Sequence, residues 1–572
     1  MKAAYKIRTI LCLVTGVVWA VSSAALAAPP HPQLLEQNAA GKKVLPYFLE
    51  HIDEMYQKGI CLPERIIKTH NDQGSAQLAS SAAVPFRVLA VLVKFSDHDS
   101  SVAASFFDSL VFSANGSSVH NYFSEISYVQ LDLVTLNVPS SLGWRTAPQT
   151  YAYYVNGSNG TGGPYPNNTQ KLVEDMVDQI DPLINFAQYD NDGNGFVDVL
   201  LVIHSGTGAE FSSSNNDIWS HKWSITPRPK DGVFISSYTV QPEFWINPGD
   251  MTIGVYAHEL CHGFGLPDLY DTDFSSNGVG KWCIMSYGSW NGPYPGGSSP
   301  AHPCAWSRIE MGFAASTNIT SNTNGVAINN VEQNSTIYRL WNSGNIGPEY
   351  FLVENRQKIG YDFNIPQAGL LIWHIDENKA ANDQEWYPGQ PGGTHYKVAL
   401  EQADGLFEME HDIDQGDAAD PFPGTGNKTS FDAVSSPNSD SYISGISFVG
   451  VQNISAAGIV INADLIVGFA AGIEDDPTLP SSFDLEQNYP NPFNPNTTIG
   501  FTLPVSSQIK LEIYNLRGEL TAVLADGTYA AGAHIAVWDG RDKSGDAVAS
   551  GIYFYRLLTD EEILSKKMLL IK

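Results

Sequence analysis

The sequence has few charged residues, and the acidic ones outnumber the basic ones. Charged side chains make up only 16% of the 572 residues, and 31 lysines and arginines stand against 61 aspartates and glutamates, so the net charge is −30. Nucleic acid and anionic membrane surfaces are both bound through cationic patches. The charge balance therefore argues against both, and we predict no nucleic-acid partner.

Cysteine is also scarce. The chain has five, and Cys12 lies in an N-terminal segment that we expect to be removed. Four remaining cysteines are too few in a chain of this length to form a disulfide scaffold. Cys283 and Cys304 are close enough in sequence for one plausible bridge, although the sequence alone does not fix the pairing.

Long apolar runs are missing beyond the N-terminus. The first residues carry basic side chains up to Arg8, an apolar stretch that ends near Val21, and the small-x-small site Ala25-Leu26-Ala27. This pattern is typical of a secretory signal peptide. The apolar stretch is shorter than the roughly 20 residues that span a bilayer. We therefore predict a signal peptide over residues 1–27 and an exported mature protein, soluble or attached to a surface.

Changes in composition divide the rest of the chain. Residues 28–82 are polar and mixed and are interpreted as a pro-segment. Residues 83–315 mix buried strands such as Arg87–Phe95 with amphipathic helices such as Thr169–Ile180, which predicts an α/β or α+β domain. Residues 316–470 alternate short strand-like runs with turns and predict a β-rich domain. An acidic linker at 471–482 then leads to residues 483–572, whose short strands predict a small Ig-like β-sandwich.

The strongest chemical signal is His258-Glu259-Leu260-Cys261-His262. Positions i and i+4 of a helix share one face, so His258 and His262 can present two imidazoles to one metal ion. A catalytic zinc usually has three protein ligands and one open position. Glu259 stands where it can act as the general base on water activated by the metal. The pattern predicts a zinc hydrolase.

The residues that follow extend the pattern to HExxHxxGxxD. Gly265 can end the helix in a left-handed conformation, which would turn the chain back toward the metal. The segment resembles the extended metzincin motif HExxHxxGxxH, with Asp268 in the place of the third histidine. The resemblance implies that Asp268 is the third zinc ligand, and nearby Asp271 is the alternative.

A second segment, Cys283-Ile284-Met285-Ser286-Tyr287-Gly288, resembles the Met-turn of metzincins. By this resemblance Met285 packs beneath the zinc ligands. Tyr287 is then the candidate that stabilises the developing oxyanion through a phenol hydrogen bond.

Longer stretches, including HELCHGFGLPDLYD, IMSYGSW and PAHPCAWSRIEMGF, are similar to the immune inhibitor A-type secreted metallopeptidases over about residues 85–468. The resemblance implies a zinc-dependent endopeptidase that acts on proteins or peptides, made as a zymogen. It implies a metzincin-like zincin fold with a β-rich domain behind the site. Cys261 departs from the family, which usually has a small residue there, and we expect it to be buried and inert. The alternatives are an inactive surface-displayed adhesion protein and a zinc hydrolase acting on something other than protein.

A calcium site is predicted in the loop before one buried strand. The spacing resembles the first part of an EF-hand loop, whose oxygen ligands recur at alternate positions. The candidate ligands are Asp190, Asp192, Asn194, the Phe196 carbonyl and Asp198. Position 12 is Leu201 and the loop runs into a strand, so this is not an EF-hand. A structural Ca²⁺ ion is the prediction, and a polar turn that binds nothing is the alternative.

One cysteine and three histidines outside these motifs are further candidates for a functional or structural role. Cys61 lies in the predicted pro-segment, where its thiolate could block the zinc, or it could be an ordinary thiol or a disulfide partner of Cys261. His204 and His221 are expected to be packed or cleft residues, and His374 to point into the β-rich domain.

The C-terminal segment, which includes LEQNYPNPFNPNTTIGFTLP and KLEIYNLRGEL, resembles the C-terminal sorting domain of type IX secretion cargo. The resemblance implies a Gram-negative export route through the periplasm and the outer membrane, with the outer-membrane secretion machinery as partner. A secreted or cell-surface location follows from it. The alternative is an Ig-like module for stability or binding.

Overall fold

The computed structural model describes residues 28–39, 45–60, 84–388, 390, 394–442, 445, 447–468, 482–505, 507–529, 532–559 and 562–571. The predicted signal peptide, Cys61 and nearly all of the predicted linker lie outside these residues. Across the described ranges, no helix is long and apolar enough to cross a membrane.

Short helices of the predicted pro-segment pack against the domain that follows. They are α1 (Pro32–Ala39), α2 (Tyr47–Glu50) and α3 (Ile52–Gln57). Phe48 stacks on Trp219 with ring centroids 5.1 Å apart, and the Phe48 N–H donates to Asn159 Oδ1. The indole N–H of Trp223 donates to the Lys58 carbonyl at 2.9 Å. The segment is thus docked on the domain that carries the HExxH motif.

A five-stranded mixed sheet forms the centre of that domain, and a separate pair of strands lies beside it. The strands of the domain are β1 (Val84–Arg87), β2 (Leu89–Lys94), β3 (Leu131–Val134), β4 (Arg145–Thr146), β5 (Leu200–His204), β6 (His221–Lys230) and β7 (Val233–Pro242). The order is β4-β2-β5-β7-β6, with β6 antiparallel at one edge, and β1 pairs separately with β3. The continuous apolar runs of β2 and β5 are explained by burial between layers of helices.

The helices around this sheet follow their apolar spacing closely. They are α4 (Ala104–Phe112), α5 (Val119–Ile126), α6 (Pro139–Leu142), α7 (Tyr151–Val155), α8 (Thr169–Ile180), α9 (Ala209–Ser212), α10 (Gly254–Gly263) and α11 (Ala305–Glu310). In α8, Leu172, Met176, Val177 and Ile180 are all buried. The sequence prediction of a domain that mixes strands and helices is confirmed, and so are the bounds of α8.

Two sheets form the β-rich domain in the residues that the structure describes. The strands are β8 (Ala315–Asn318), β9 (Thr323–Asn329), β10 (Thr336–Leu340), β11 (Glu349–Arg356), β12 (Gly369–Asp376), β13 (Val398–Leu400), β14 (Gly450–Gln452) and β15 (Val460–Ile466). One sheet has the order β13-β12-β11-β10-β8 and the other β14-β15-β9. Arg308 of α11 pairs with Glu354 of β11, and all of their side-chain surface is buried. This ion pair ties the β-rich domain to the helix that follows the Met-turn.

Within its described residues, the C-terminal module is a sandwich of seven strands. They are β16 (Asp484–Leu485), β17 (Thr497–Leu503), β18 (Ser507–Asn515), β19 (Leu520–Tyr529), β20 (Gly532–Trp538), β21 (Gly551–Thr559) and β22 (Ile563–Leu570). The two sheets have the orders β16-β17-β20 and β19-β18-β21-β22. Alternating inward residues such as Ile499, Leu511, Trp538 and Tyr555 form its core.

Candidate active site

Helix α10 carries the HExxH motif through the middle of the domain. Every residue from Gly254 to Gly263 is buried. At Gly254 a Cβ atom would lie 1.9 Å from the Ser289 carbonyl oxygen, so only glycine permits this close approach. The helix ends at Gly263, and Gly265 has φ +88°, the left-handed conformation that the sequence predicts for the turn.

The structure brings His258, His262 and Asp268 together. Nε2 of His258 lies 3.0 Å from Asp268 Oδ1, and Nε2 of His262 lies 3.6 Å from the same oxygen. The alternative ligand Asp271 is engaged elsewhere, because its carboxylate accepts hydrogen bonds from the hydroxyls of Ser275 and Ser276. Asp268 is therefore the carboxylate that accompanies the two histidines.

Backbone carbonyls fix the tautomer of both imidazoles. Nδ1 of His258 is 2.8 Å from the Ile284 carbonyl, and Nδ1 of His262 is 2.8 Å from the Leu266 carbonyl. A carbonyl oxygen only accepts, so each Nδ1 carries the proton and each Nε2 presents a lone pair. Ile284 belongs to the Met-turn segment, which gives that segment a direct part in orienting His258.

The donor set fits a zinc ion. His258, His262 and Asp268 are all 0% exposed, and their ligand atoms lie within 4.8 Å of one another. Burial lowers the pKa of His258, which favours the neutral form that binds metals. The lone pairs of the two imidazoles and the Asp268 carboxylate oxygen repel one another in this dry interior. A divalent cation bound between them would attract all three.

Glu259 lies beside this group and is fully buried. Burial raises the pKa of its carboxyl to about 8, His258 opposes that shift, and the nearby Asp268 adds to it. A pKa near the working pH suits a group that takes up and returns a proton. Oε1 accepts a hydrogen bond from the Ala28 N–H at 2.8 Å, and Oε2 has no hydrogen-bond partner among the residues described.

The Met-turn segment contacts this group through Ile284, whose carbonyl accepts from Nδ1 of His258. Met285 is fully buried, and its carbonyl accepts from the Leu269 N–H at 2.7 Å, which holds the loop after Asp268. Tyr287 is 1% exposed, and burial raises the pKa of its phenol, so the hydroxyl stays protonated as a donor. That hydroxyl makes no hydrogen bond within the described part of the chain.

The start of the predicted pro-segment covers Glu259. Beyond the Ala28 contact, the Trp219 indole donates to the Ala28 carbonyl at 3.2 Å and the Trp290 indole donates to the Pro29 carbonyl at 2.9 Å. These residues were not predicted from the sequence. The available signal was the position of Ala28 directly after the predicted cleavage site, but a contact between residues so far apart in sequence leaves no local pattern.

The cysteines in the described part of the chain, Cys261, Cys283 and Cys304, are buried free thiols. Cys261 is buried as expected, and burial raises the pKa of its thiol, which disfavours the reactive thiolate. The Cys304 N–H donates to Cys283 Sγ at 3.2 Å, but both are free thiols. The plausible Cys283–Cys304 bridge is therefore not formed in this structure, although the two residues are adjacent as expected.

The additional histidines are packed residues. His204 and His221 are fully buried, and burial lowers the pKa of His204 to about 3 and that of His221 to about 4. His374 points into the β-rich domain, where it lies between the carboxylates of Glu349 and Glu401.

The predicted calcium loop does not gather its carboxylates around one point. Asp190 accepts hydrogen bonds from the backbone N–H groups of Gly193 and Gly195, and Asp198 Oδ2 accepts from that of Asn191. In the described ranges, the groups of acidic or histidine ligand atoms that converge do not include these aspartates. Asp198 Oδ1 nevertheless is buried with no hydrogen-bond partner in those ranges, and burial raises the pKa of Asp198 to about 6.

A second acidic group lies in the β-rich domain. Carboxylate oxygens of Asp404, Glu408 and Asp420 lie within 4.8 Å of one another, as do those of Glu408, Asp414 and Asp417. Burial raises the pKa of Asp420 to about 8. The sequence had suggested further ions near Asp412–Asp420 without a diagnostic spacing.

Comparison with known proteins agrees with the class that this site defines. Residues 87–313 match the family model described as immune inhibitor A peptidase M6, catalytic domain, and residues 493–560 match the FlgD Ig-like domain. The first match includes His258, Glu259, His262 and Asp268. Residues 87–313 are thus similar to a metallopeptidase catalytic domain, in agreement with the resemblance stated from the sequence for this part of the chain.

Individual relatives cover smaller parts of the chain. The pre-pro-metalloprotease PrtV of Vibrio cholerae is 34% identical over 199 residues, which cover 29% of this chain and 21% of that protein. Immune inhibitor A of Bacillus thuringiensis subsp. alesti is 33% identical over 183 residues, 27% of this chain and 26% of that protein. The chain therefore spans about a quarter or less of the length of these relatives. The solved structure of FlgD from P. aeruginosa is 28% identical, with a TM-score of 0.12, over 13% of this chain and 60% of that chain.

Proposed function

We propose that this chain is a secreted zinc-dependent endopeptidase made as a zymogen, with a zincin-type catalytic domain over residues 83–315. The observation that carries the proposal is the convergence of His258, His262 and Asp268 beside the buried carboxyl of Glu259. This group lies inside the segment that matches the peptidase M6 catalytic domain. Its substrates are proteins or peptides.

The chemistry divides between the metal and the chain. His258, His262 and Asp268 would hold the zinc ion, which when bound would supply Lewis-acid activation of water and of the scissile carbonyl. Glu259 takes a proton from the attacking water and later returns it to the leaving amine, a role that its raised pKa supports. Tyr287 donates its phenol hydrogen to the carbonyl oxygen as negative charge develops there.

Hydrolysis of a generic unfolded protein by the processed chain tests the function. We expect cleavage that stops when a zinc chelator is added and resumes when zinc is restored in excess, because the metal is essential to the chemistry. A processed chain that is inert with zinc, or fully active in the chelator, contradicts the proposal. The first result would favour the inactive adhesion protein considered from the sequence.

The contacts of Ala28 and Pro29 support the zymogen part of the proposal. Ala28 occupies the space next to Glu259 that a substrate needs, and two tryptophan indoles hold the segment in place. The uncleaved chain should hydrolyse a quenched peptide at least about tenfold more slowly than the processed chain, because the substrate must displace these contacts. Equal rates exclude latency. Cys61 stays an alternative switch, and Cys61→Ala activates the precursor only if that alternative holds.

We predict that Tyr287→Phe lowers kcat by about 10²-fold, in line with the loss of one oxyanion donor. KM should change little, because the hydroxyl acts on charge that develops only in the transition state. The ring remains to fill its buried site, so the fold is retained. Steady-state kinetics on one peptide measure both constants, and an unchanged kcat removes Tyr287 from the mechanism.

We propose that Ca²⁺ binds the Asp190–Asp198 loop in a structural role. Support comes from the oxygen-rich spacing and from the buried Asp198 Oδ1, whose raised pKa reflects the cost of an ionised carboxylate there. At pH 7 the Asp198 carboxylate is ionised, because this pH lies above its pKa of about 6 in the folded state. The buried charge destabilises the native state, and bound Ca²⁺ offsets this destabilisation.

Added Ca²⁺ should therefore raise the Tm at pH 7, and Asp198→Asn should remove that increase. The control is Asp231→Asn, whose carboxylate accepts a bond from the Phe186 N–H outside this loop. An increase in Tm that survives Asp198→Asn excludes the loop as the calcium site.

We propose that residues 483–572 direct export through the outer membrane as a type IX sorting domain. Support comes from the sequence resemblance, because the FlgD Ig-like match describes the sandwich alone. Deleting residues 483–572 in a Gram-negative host with this secretion system should leave the protein in the periplasm. Secretion of the truncated chain would favour a plain Ig-like module.

A further inference from the structure

An aromatic pocket next to the site holds the side chain of His31. The His31 ring lies 4.6 Å from Phe211, 4.8 Å from Trp290 and 6.2 Å from Tyr294, measured between centroids. Trp245 lies behind the pocket, 5.0 Å from Trp290. His31 is only 7% exposed, so the pocket removes nearly the whole side chain from water.

The pocket holds this ring in its uncharged form. Nε2 of His31 lies 3.0 Å from the Pro295 carbonyl, so that nitrogen carries the proton, and Nδ1 accepts from the Gln33 N–H at 3.3 Å. Burial lowers the pKa of His31 to about 4, against the opposing hydrogen bond to Pro295. Flat, uncharged rings gain from edge-to-face contact with aromatic walls, whereas a charged side chain would lose its hydration.

The backbone of residues 28–31 shows how far this pocket lies from the scissile bond. Ala28 N lies 2.8 Å from Glu259 Oε1, where the nitrogen of a leaving amine must lie to receive its proton. Ala28 therefore stands in the place of the first residue of the leaving peptide, and His31 in the place of the fourth. The His31 N–H donates to the Glu210 carbonyl at 2.9 Å, a contact that any substrate backbone can repeat.

We propose that Phe211, Trp290 and Tyr294 form a specificity subsite, which selects a flat, uncharged ring at the fourth residue after the scissile bond. The inference rests on the proposed peptidase function and names the side chains that the site prefers: phenylalanine, tyrosine, tryptophan or neutral histidine. In the precursor His31 fills the subsite, and after processing a substrate side chain takes its place.

Quenched peptides that differ only at that fourth residue test the subsite in the processed, zinc-loaded chain. We expect kcat/KM to be about tenfold higher with phenylalanine or tyrosine than with alanine, and lowest with aspartate or lysine. Tyr294 is 61% exposed, so Tyr294→Ala leaves the fold intact and should lower the phenylalanine-to-alanine ratio at least about threefold. Tyr294→Phe should keep the ratio, as should Tyr489→Ala, a 77% exposed tyrosine in the C-terminal sandwich.

A second experiment measures peptide binding in the absence of hydrolysis. The free peptide of residues 28–33 should bind the processed chain and change its tryptophan fluorescence, because it returns to Trp219 and Trp290. The His31→Ala peptide should bind about tenfold more weakly, and the His31→Phe peptide about equally well.

Three results overturn the inference: equal kcat/KM for ring and non-ring peptides, a ratio unchanged by Tyr294→Ala, or equal binding of the His31→Ala peptide. The proposed function fails separately, when the zinc-loaded processed chain cleaves none of the peptides. In that case the binding measurement still reports whether the pocket selects a ring.

Discussion

Glu259→Gln lowers kcat/KM of the processed chain by about 10²- to 10⁴-fold, the range that a lost general base gives. The amide has the shape of the protonated carboxyl and its oxygen still accepts the Ala28 N–H in the precursor, but it takes no proton from water. Because burial raises the pKa of Glu259 to about 8, the native fold already favours an uncharged group there, so folding is retained.

The control for this variant is its metal content. His258, His262 and Asp268 are untouched in Glu259→Gln, so zinc bound per chain should equal that of the unmodified protein. Retention of full activity with normal zinc content would exclude Glu259 as the base. Loss of both activity and zinc would show that Glu259 binds the metal rather than acting on water.

Asp268→Ala should weaken zinc binding by more than about 100-fold, since even residues that only support metal ligands contribute 10- to 100-fold. The variant leaves two imidazoles without the third donor that catalytic zinc sites usually have. Competition with a chelator of known affinity measures the change in Kd. Proteolysis should fall together with the zinc content.

Asp271→Asn is the matched control. Asp271 lies three residues further along the same loop, and it accepts hydrogen bonds from Ser275 and Ser276 rather than facing the histidines. Its zinc affinity should stay within a few-fold of the unmodified chain, a smaller change than the loss of a supporting contact produces. If Asp271→Asn loses zinc and Asp268→Ala keeps it, the alternative ligand considered from the sequence is correct.

The sequence predicted those parts of the site that depend on neighbours along the chain. The i, i+4 spacing placed His258 and His262 on one helix face, and Gly265 in its left-handed turn returned Asp268 to them. Helix α8 was predicted with correct bounds because its apolar periodicity is complete. In these cases the residues that determine the local structure are close neighbours in the sequence.

Other features depend on contacts between distant segments. The hydrogen bond from Ala28 to Glu259 joins residues 231 positions apart, and the pocket around His31 is assembled from α9 and from the turn after the Met-turn. The predicted calcium loop shows a different limit: its spacing is local, but its Asp190 carboxylate accepts hydrogen bonds from the backbone N–H groups of Gly193 and Gly195 in the same loop. Spacing alone does not distinguish such a turn from a metal loop.

Anomalous diffraction at the zinc absorption edge tests most directly whether His258, His262 and Asp268 hold a zinc ion. Crystals of the chain purified with zinc should give a peak at about 2.0–2.2 Å from Nε2 of both histidines and from a carboxylate oxygen of Asp268. A chain that gives no peak there, or whose zinc is bound by Asp271 or another group, contradicts the account.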